Sequence, residues 1–185
     1  MDEACLDRRV VHTIGHSTRA IEAFCGLLEV HAIGRVVDVR RWPASRRHPQ
    51  FGRESLVASL GSRCIEYVWH AELGGFRSPR PDSPSTGWRT PAFRAYADFM
   101  LTPEFETAIA RLEAVAASQR IAIMCAEAVP WRCHRQLLAD AFTVRDWRVR
   151  HIMDDGCHAH RLTSFARPIG VRIHYGGDDL FASWP

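Results

Sequence analysis

The sequence predicts an α/β fold: a single compact domain with a mostly parallel sheet flanked by helices on both faces. Three observations carry that prediction. Short runs rich in Val and Ile alternate along the chain with stretches of helical periodicity, the pattern of successive βαβ units. A chain of 185 residues suits one domain with a sizeable core. Polar residues with reactive side chains follow directly on the apolar runs, where α/β sheets place their ligands. The domain is expected to cover residues 1–185, with its core over about 12–165 and a tail over 166–185. Strand order cannot be read from this pattern.

Val10 to Ile14 reads as the first strand, ending in Gly15-His16-Ser17-Thr18. Ile21, Phe24, Cys25 and Leu28 then recur on one helical face, with Ser17 or Thr18 as the expected cap. Arg35 to Arg40 is a second strand, and the Arg-rich segment 41–50 is a loop. Ser55 to Leu60 is a short helix, and Ile65 to Trp69 a third strand that stops at the turn Glu72-Leu73-Gly74-Gly75. Residues 76–90 are rich in Pro, Arg and Ser and read as a long loop, a kind of segment that often carries function. Thr90-Pro91 and Thr102-Pro103 each place an N-cap before a proline at the first helical position. The first of these helices should bury Phe93, Tyr96, Ala97 and Met100; the second, Phe105, Ile109, Leu112 and Ala116. Ile121 to Cys125 is a strand, and a helix expected to open at Arg132 carries Leu137, Leu138 and Ala141 on one face. Trp147 to Met153 is the last predicted strand, and the segment from Asp154 shows no periodicity.

No apolar run is long enough to span a bilayer, so no membrane association is expected. The acidic N-terminal residues do not read as a secretory signal, and a cytoplasmic location is expected. The six cysteines form no Cys-x-x-Cys pair and are expected to be reduced, with Cys25 and Cys64 as packing residues. All 24 basic residues are arginine. Codon bias in a GC-rich genome would explain the missing lysine, but the chemical exclusion holds either way: no lysine Schiff base, pyridoxal phosphate lysine or P-loop lysine is available. A net charge of only +3 means that affinity for nucleic acid must come from local patches.

Several motifs stand together: Thr13-Ile-Gly-His-Ser17, Val37-Asp-Val-Arg40 with Pro43, Ser45 and Phe51, Leu73-Gly-Gly75, Tyr96-Ala97, Met124-Cys-Ala-Glu127, Cys133-His-Arg135 and His151-Ile152. In combination they resemble the family catalogued as domain of unknown function 488, over about residues 12–165. The resemblance implies a compact α/β domain whose motif segments converge. It implies no substrate.

In a parallel sheet the segments after the first, second and fourth strands share one edge, which would gather His16 and Ser17, Asp38 and Arg40, and Cys125, Glu127, Arg132 and His134 into one cleft. Taken singly, Asp38 and Arg40 could be no more than an ion pair at a strand end. Three chemistries remain open. Cys125 near arginines could be a thiolate nucleophile in a transferase or reductase, although Arg132 falls one residue too late for a phosphatase loop. Cys125, Cys133 and His134 could ligate zinc, with Cys157, His158 or His160 closing the shell; their spacing fits no standard finger, adjacent helical residues diverge, and no metal or cofactor is expected. Lastly, Arg40, Arg41, Arg46, Arg47, Arg132 and Arg135, with Ser17, could hold phosphates, while Trp42, Phe51, Trp88 and Trp131 stack on bases. The sharpest form of this third reading is hydrolysis of an N-glycosidic bond in a nucleotide or nucleic acid, as a monofunctional base-excision enzyme would perform it. Asp38 or Glu127 would activate water or stabilise the oxocarbenium-like state, and His134 or His16 would protonate the departing base. A non-catalytic nucleic-acid-binding or nucleotide-binding module is the remaining alternative.

Overall fold

Five strands with β-branched cores line up in parallel because helical segments return the chain to the same edge each time. The structure, a computed structural model, describes residues 9–176. Cys5, the segment that does not read as a secretory signal, and residues 177–185 of the expected tail lie outside the described residues. The strands are β1 (Val10–Gly15), β2 (Arg35–Asp38), β3 (Glu66–Trp69), β4 (Ile121–Cys125), β5 (Arg148–Met153) and β6 (Gly156–Ala159). They form one sheet in the order β3-β2-β4-β1-β5-β6, in which only β6 is antiparallel to its neighbour. A separate hairpin joins β7 (Arg167–Ile169) to β8 (Arg172–His174).

The helices are α1 (Ile21–Val30), α2 (Arg53–Gly61), α3 (Pro91–Phe99), α4 (Pro103–Ser118) and α5 (Arg135–Thr143). The strands point alternate residues to opposite faces, which produces two cores. Ile14, Val36, Ala122, Met124 and Ile152 pack with Phe24, Cys25 and Leu28 of α1 and Leu56 and Leu60 of α2. On the other face Val11, Val37, Ile121, Ile123 and Val149 pack with α3, α4 and α5. No helix among the described residues is long and apolar enough to cross a membrane.

This topology opens the sheet at one place. The chain leaves β1 toward the α1 face and passes over β4 to reach β2. It leaves β4 toward the α5 face and passes over β1 to reach β5. The two connections part at the carboxyl ends of β1 and β4, and a crevice results.

Several local expectations differ from what is found. Helix α1 is preceded by Ala20 in extended conformation, with no side-chain cap; Ser17 instead takes a left-handed φ of 50° and its amide bonds the Ala126 carbonyl at 2.8 Å. Thr102 does cap α4 through the Phe105 amide, whereas Thr90 makes no such bond. Cys64 is exposed, in a turn with φ of 56°, and is not a packing residue; Cys25 is buried. After β4 the chain makes a 3-10 turn, Pro130–Arg132, and Cys133 is extended, so the helix begins only at Arg135. The segment beyond Asp154 holds the β6 strand and the β7–β8 hairpin rather than irregular chain.

Candidate functional site

The cleft sits at the carboxyl ends of β1, β2 and β4 and encloses about 820 Å³. His16, Ser17, Arg40, Arg41, Trp42, Arg46, Arg47, Cys125, Glu127, Arg132 and His134 all line it, drawn from three separate stretches of chain. The backbone fixes their approach: the amides of His16 and Ser17 bond the carbonyls of Cys125 and Ala126 at 3.0 and 2.8 Å, carrying the β1–β4 pairing past the strand ends. Gly15 allows this closeness, because a Cβ there would collide with the Glu127 carbonyl.

One wall is built by Asp38, which is fully buried. Its carboxylate accepts from Arg40 Nη2 at 2.6 Å, from Arg40 Nε and from the Tyr67 hydroxyl at 2.7 Å. Asp38 therefore does not face the cleft. It aims Arg40, whose Nη1 donates to His16 Nε2 at 3.2 Å. His16 Nδ1 donates to the Ser17 carbonyl at 2.9 Å, which fixes the tautomer. Burial lowers the His16 pKa to about 4, with the nearby Arg40 charge acting in the same direction. The neutral imidazole thus has its proton on a backbone carbonyl and its lone pair on a guanidinium. Both ring nitrogens are engaged, and His16 does not hold a proton toward a ligand.

The opposite wall holds Cys125, Cys133 and His134. Because Cys133 is extended and His134 stands outside the helix, the adjacent pair converges instead of diverging. The Nδ1 of His134 lies 3.5 Å from the Cys133 sulfur and 3.9 Å from the Cys125 sulfur. The imidazole packs on Tyr96, with ring centroids 5.1 Å apart, and against Gly75, where a Cβ would overlap the ring. The hydrogen bond to Cys133, together with burial, pushes the Cys125 thiol well above its ordinary value. Burial works against ionisation of Cys133 as well, but hydrogen bonding from Cys125 and the proximity of His134 and Arg135 bring it well below.

Four arginines at the rim, Arg41, Arg46, Arg47 and Arg132, are exposed and have no carboxylate partner among the described residues. Trp42 and Phe76 form an exposed ring pair beside them, with centroids 5.3 Å apart. Glu127 is the one carboxylate lining the cleft among the described residues.

Other expected contacts fall elsewhere. Phe51 is buried and stacks under His16, so it presents no face to a ligand. Trp88 packs among Phe93, Phe165 and Tyr175 in the α3 core, away from the cleft. Trp131 is exposed but does not line the cleft. Arg135 is buried and donates to the carbonyls of Glu127 and Ala128, which makes it a tether for the loop and not a phosphate contact.

Sequence reasoning missed Phe76, for which the adjacent Gly74-Gly75 pair was the available signal, and a buried polar chain behind the cleft. Arg135 donates to Thr13, Thr13 to His151 at 2.7 Å, His151 to His160 at 3.0 Å, and His160 to Asp140 at 2.8 Å. Asp140 also accepts from the amide and hydroxyl of Thr163 and from Tyr175. Thr13, Arg135 and His151 stand in motifs, whereas His160, Asp140, Thr163 and Tyr175 do not.

The fold and the site together define an α/β domain with an arginine-rimmed cleft at the topological switch of a parallel sheet. The family model described as Domain of unknown function DUF488 matches residues 20–142. The chain belongs to that family. The match is narrower than the resemblance over about 12–165, since the Thr13–Ser17 and His151-Ile152 motifs lie beyond it. No curated protein and no solved structure matches the chain.

Proposed function

We propose that this protein is a hydrolase acting on a nucleotide or nucleic acid, most sharply on the bond between a base and its sugar. One observation carries the reading: four arginines without carboxylate partners and an exposed Trp42–Phe76 pair surround a cleft in which Glu127 is the only carboxylate among the described residues. Guanidinium groups without partners suit phosphate oxygens, and an exposed ring pair gives a base a stacking surface. Arg40, held by Asp38, adds a fixed cation at the floor.

In this reading Glu127 accepts a proton from water. The water oxygen bonds to the anomeric carbon as the C–N bond breaks, and the base leaves with the electron pair and takes a proton from solvent. Asp38 is a positioning residue. Absence of lysine takes away the side chain through whose imine a lyase step usually runs, and simple hydrolysis fits. Reduced thiols in the cleft suit a reducing compartment, the cytoplasm above all.

Fluorescence anisotropy with a single-stranded oligonucleotide tests the reading. Binding should weaken steeply with salt, and Arg46→Ala with Arg47→Ala should flatten that slope by about two phosphate contacts. Glu127→Gln should keep the binding and lose turnover by about 100-fold or more. Salt-insensitive binding, or full turnover by Glu127→Gln, would end the proposal. Binding with no turnover on any substrate leaves a binding module instead. The second reading, thiol transfer at Cys125, has against it that the Cys125–Cys133 pairing holds the Cys125 thiol well above its ordinary value; a covalent adduct on Cys125 during turnover would support it, and turnover without one would remove it.

A further inference from the structure

We infer that Cys125, Cys133 and His134 form a three-ligand zinc site whose fourth position opens into the cleft. The Cys125 and Cys133 sulfurs and His134 Nδ1 all lie within 4.8 Å of one another. A tetrahedral zinc, with Zn–S near 2.3 Å and Zn–N near 2.0 Å, holds its sulfurs about 3.8 Å apart and each sulfur about 3.5 Å from the nitrogen. The observed sulfur–nitrogen separations of 3.5 and 3.9 Å already approach that figure. The donor set is also selective: two thiolates and one imidazole suit zinc and not the hard, oxygen-seeking cations.

The surroundings support a built site rather than a chance cluster. Cys125 ends a strand held on both sides by β1 and β2, Cys133 is fixed by its amide bond to the Pro130 carbonyl, and Gly75 presses on the imidazole face. Among the described residues no fourth His, Cys, Asp or Glu donor joins the group. The residues named above as closing the shell are engaged elsewhere: Cys157 lies with His12 and His31, His158 bonds Asp155, and His160 bonds Asp140. Cys125 and His134 line the cleft while Cys133 lies behind them, so the open coordination position faces the space that a ligand would enter. Three protein ligands with one open position is the arrangement of catalytic zinc, whereas structural zinc is closed by four.

The role of this ion rests on the hydrolase reading given above; its binding does not. A water on the zinc would lose a proton to Glu127, two residues along from Cys125 and lining the same cleft, and the hydroxide would remain on the metal as the attacking oxygen. The carboxylate serves as proton acceptor without being a ligand.

The test uses the full chain purified without chelator, followed by titration of the stripped protein with zinc and with cobalt, whose absorption reports thiolate ligation. About one zinc per chain should bind, and the cobalt form should show sulfur-to-metal charge transfer. His134→Gln and Gly75→Ala should each weaken zinc by about tenfold or more. Cys133→Ala should abolish the site, with circular dichroism confirming the fold; if that variant does not fold, His134→Gln alone decides. No saturable zinc in the wild type, a cobalt spectrum without thiolate ligation, or wild-type affinity in His134→Gln would overturn the inference. The two proposals fail separately. Zinc bound by a chain that ignores oligonucleotides sinks the nucleic-acid reading and leaves the metal site standing. Oligonucleotide binding by a chain that takes no zinc does the reverse.

Discussion

Asp38 illustrates how a carboxylate at a strand end serves a site without meeting its ligand. It is fully buried, and its charge is spent on Arg40, itself only 6% exposed. Asp38→Asn leaves a buried guanidinium without its counter-charge and should cost about 3–5 kcal/mol, read as a drop in the urea midpoint. Glu127→Gln, at an exposed position, should leave that midpoint unchanged. Three buried imidazoles supply a pH signature. Burial lowers His12 and His16 to about 4 and His151 to about 3, all from 6.5. Each is depressed in the folded state, so the unfolded chain binds more protons across that window, and stability is full above pH 6.5 and declines as pH falls toward 4 and then 3. The slope should approach about 1.4 kcal/mol per pH unit for each group. A urea midpoint that stays flat between pH 7 and pH 4.5 would contradict this. At this scale the cations and thiols of the site were legible, because polar residues at several strand ends could only meet at one edge. The aromatic partners were not, because whether Phe51 or Phe76 faces outward depends on packing that no local pattern records.

The elements that the chain's periodicity marks were read correctly in kind, with ends shifted by a few residues. The exceptions are the two hairpins after β5. Their signals were present but brief: Asp155-Gly156 at the β5–β6 turn, where Gly156 has φ of 135°, and Gly170, with φ of 58°, between β7 and β8. What these elements accomplish could not be read at all, since the chain from Arg135 through His151 and His160 to Asp140 joins residues far apart in sequence. Helix α5 holds both ends of that chain and so connects the loop over the cleft to the β7–β8 region. Asp140→Asn removes an acceptor that serves four donors, and it should destabilise the fold by about 3 kcal/mol or more. Amide exchange should show the loss concentrated at residues 126–128, where Arg135 holds the loop. Tyr175→Phe, which removes one donor of the four, should cost about 1 kcal/mol.

The whole molecule follows from where its connections part. An α/β domain with a cleft at the carboxyl edge was legible in the alternation of elements, but the order β3-β2-β4-β1-β5-β6 was not, because pairing between distant strands leaves no local trace. That order also sets the smallest unit that folds. A fragment limited to residues 20–142 would lack β1, β5 and β6, half of the six-stranded sheet, and should be unfolded by circular dichroism, whereas residues 9–176 should melt cooperatively. The position of β1 has a further effect on synthesis. His12 pairs with Ala122 on one side and Arg150 on the other, so β1, made before both of its neighbours, has no strand to pair with until β4 is made and lacks its second neighbour until β5 follows. Such distant pairing slows folding, and Val11 and Ile14 stay open to chaperones in the interim.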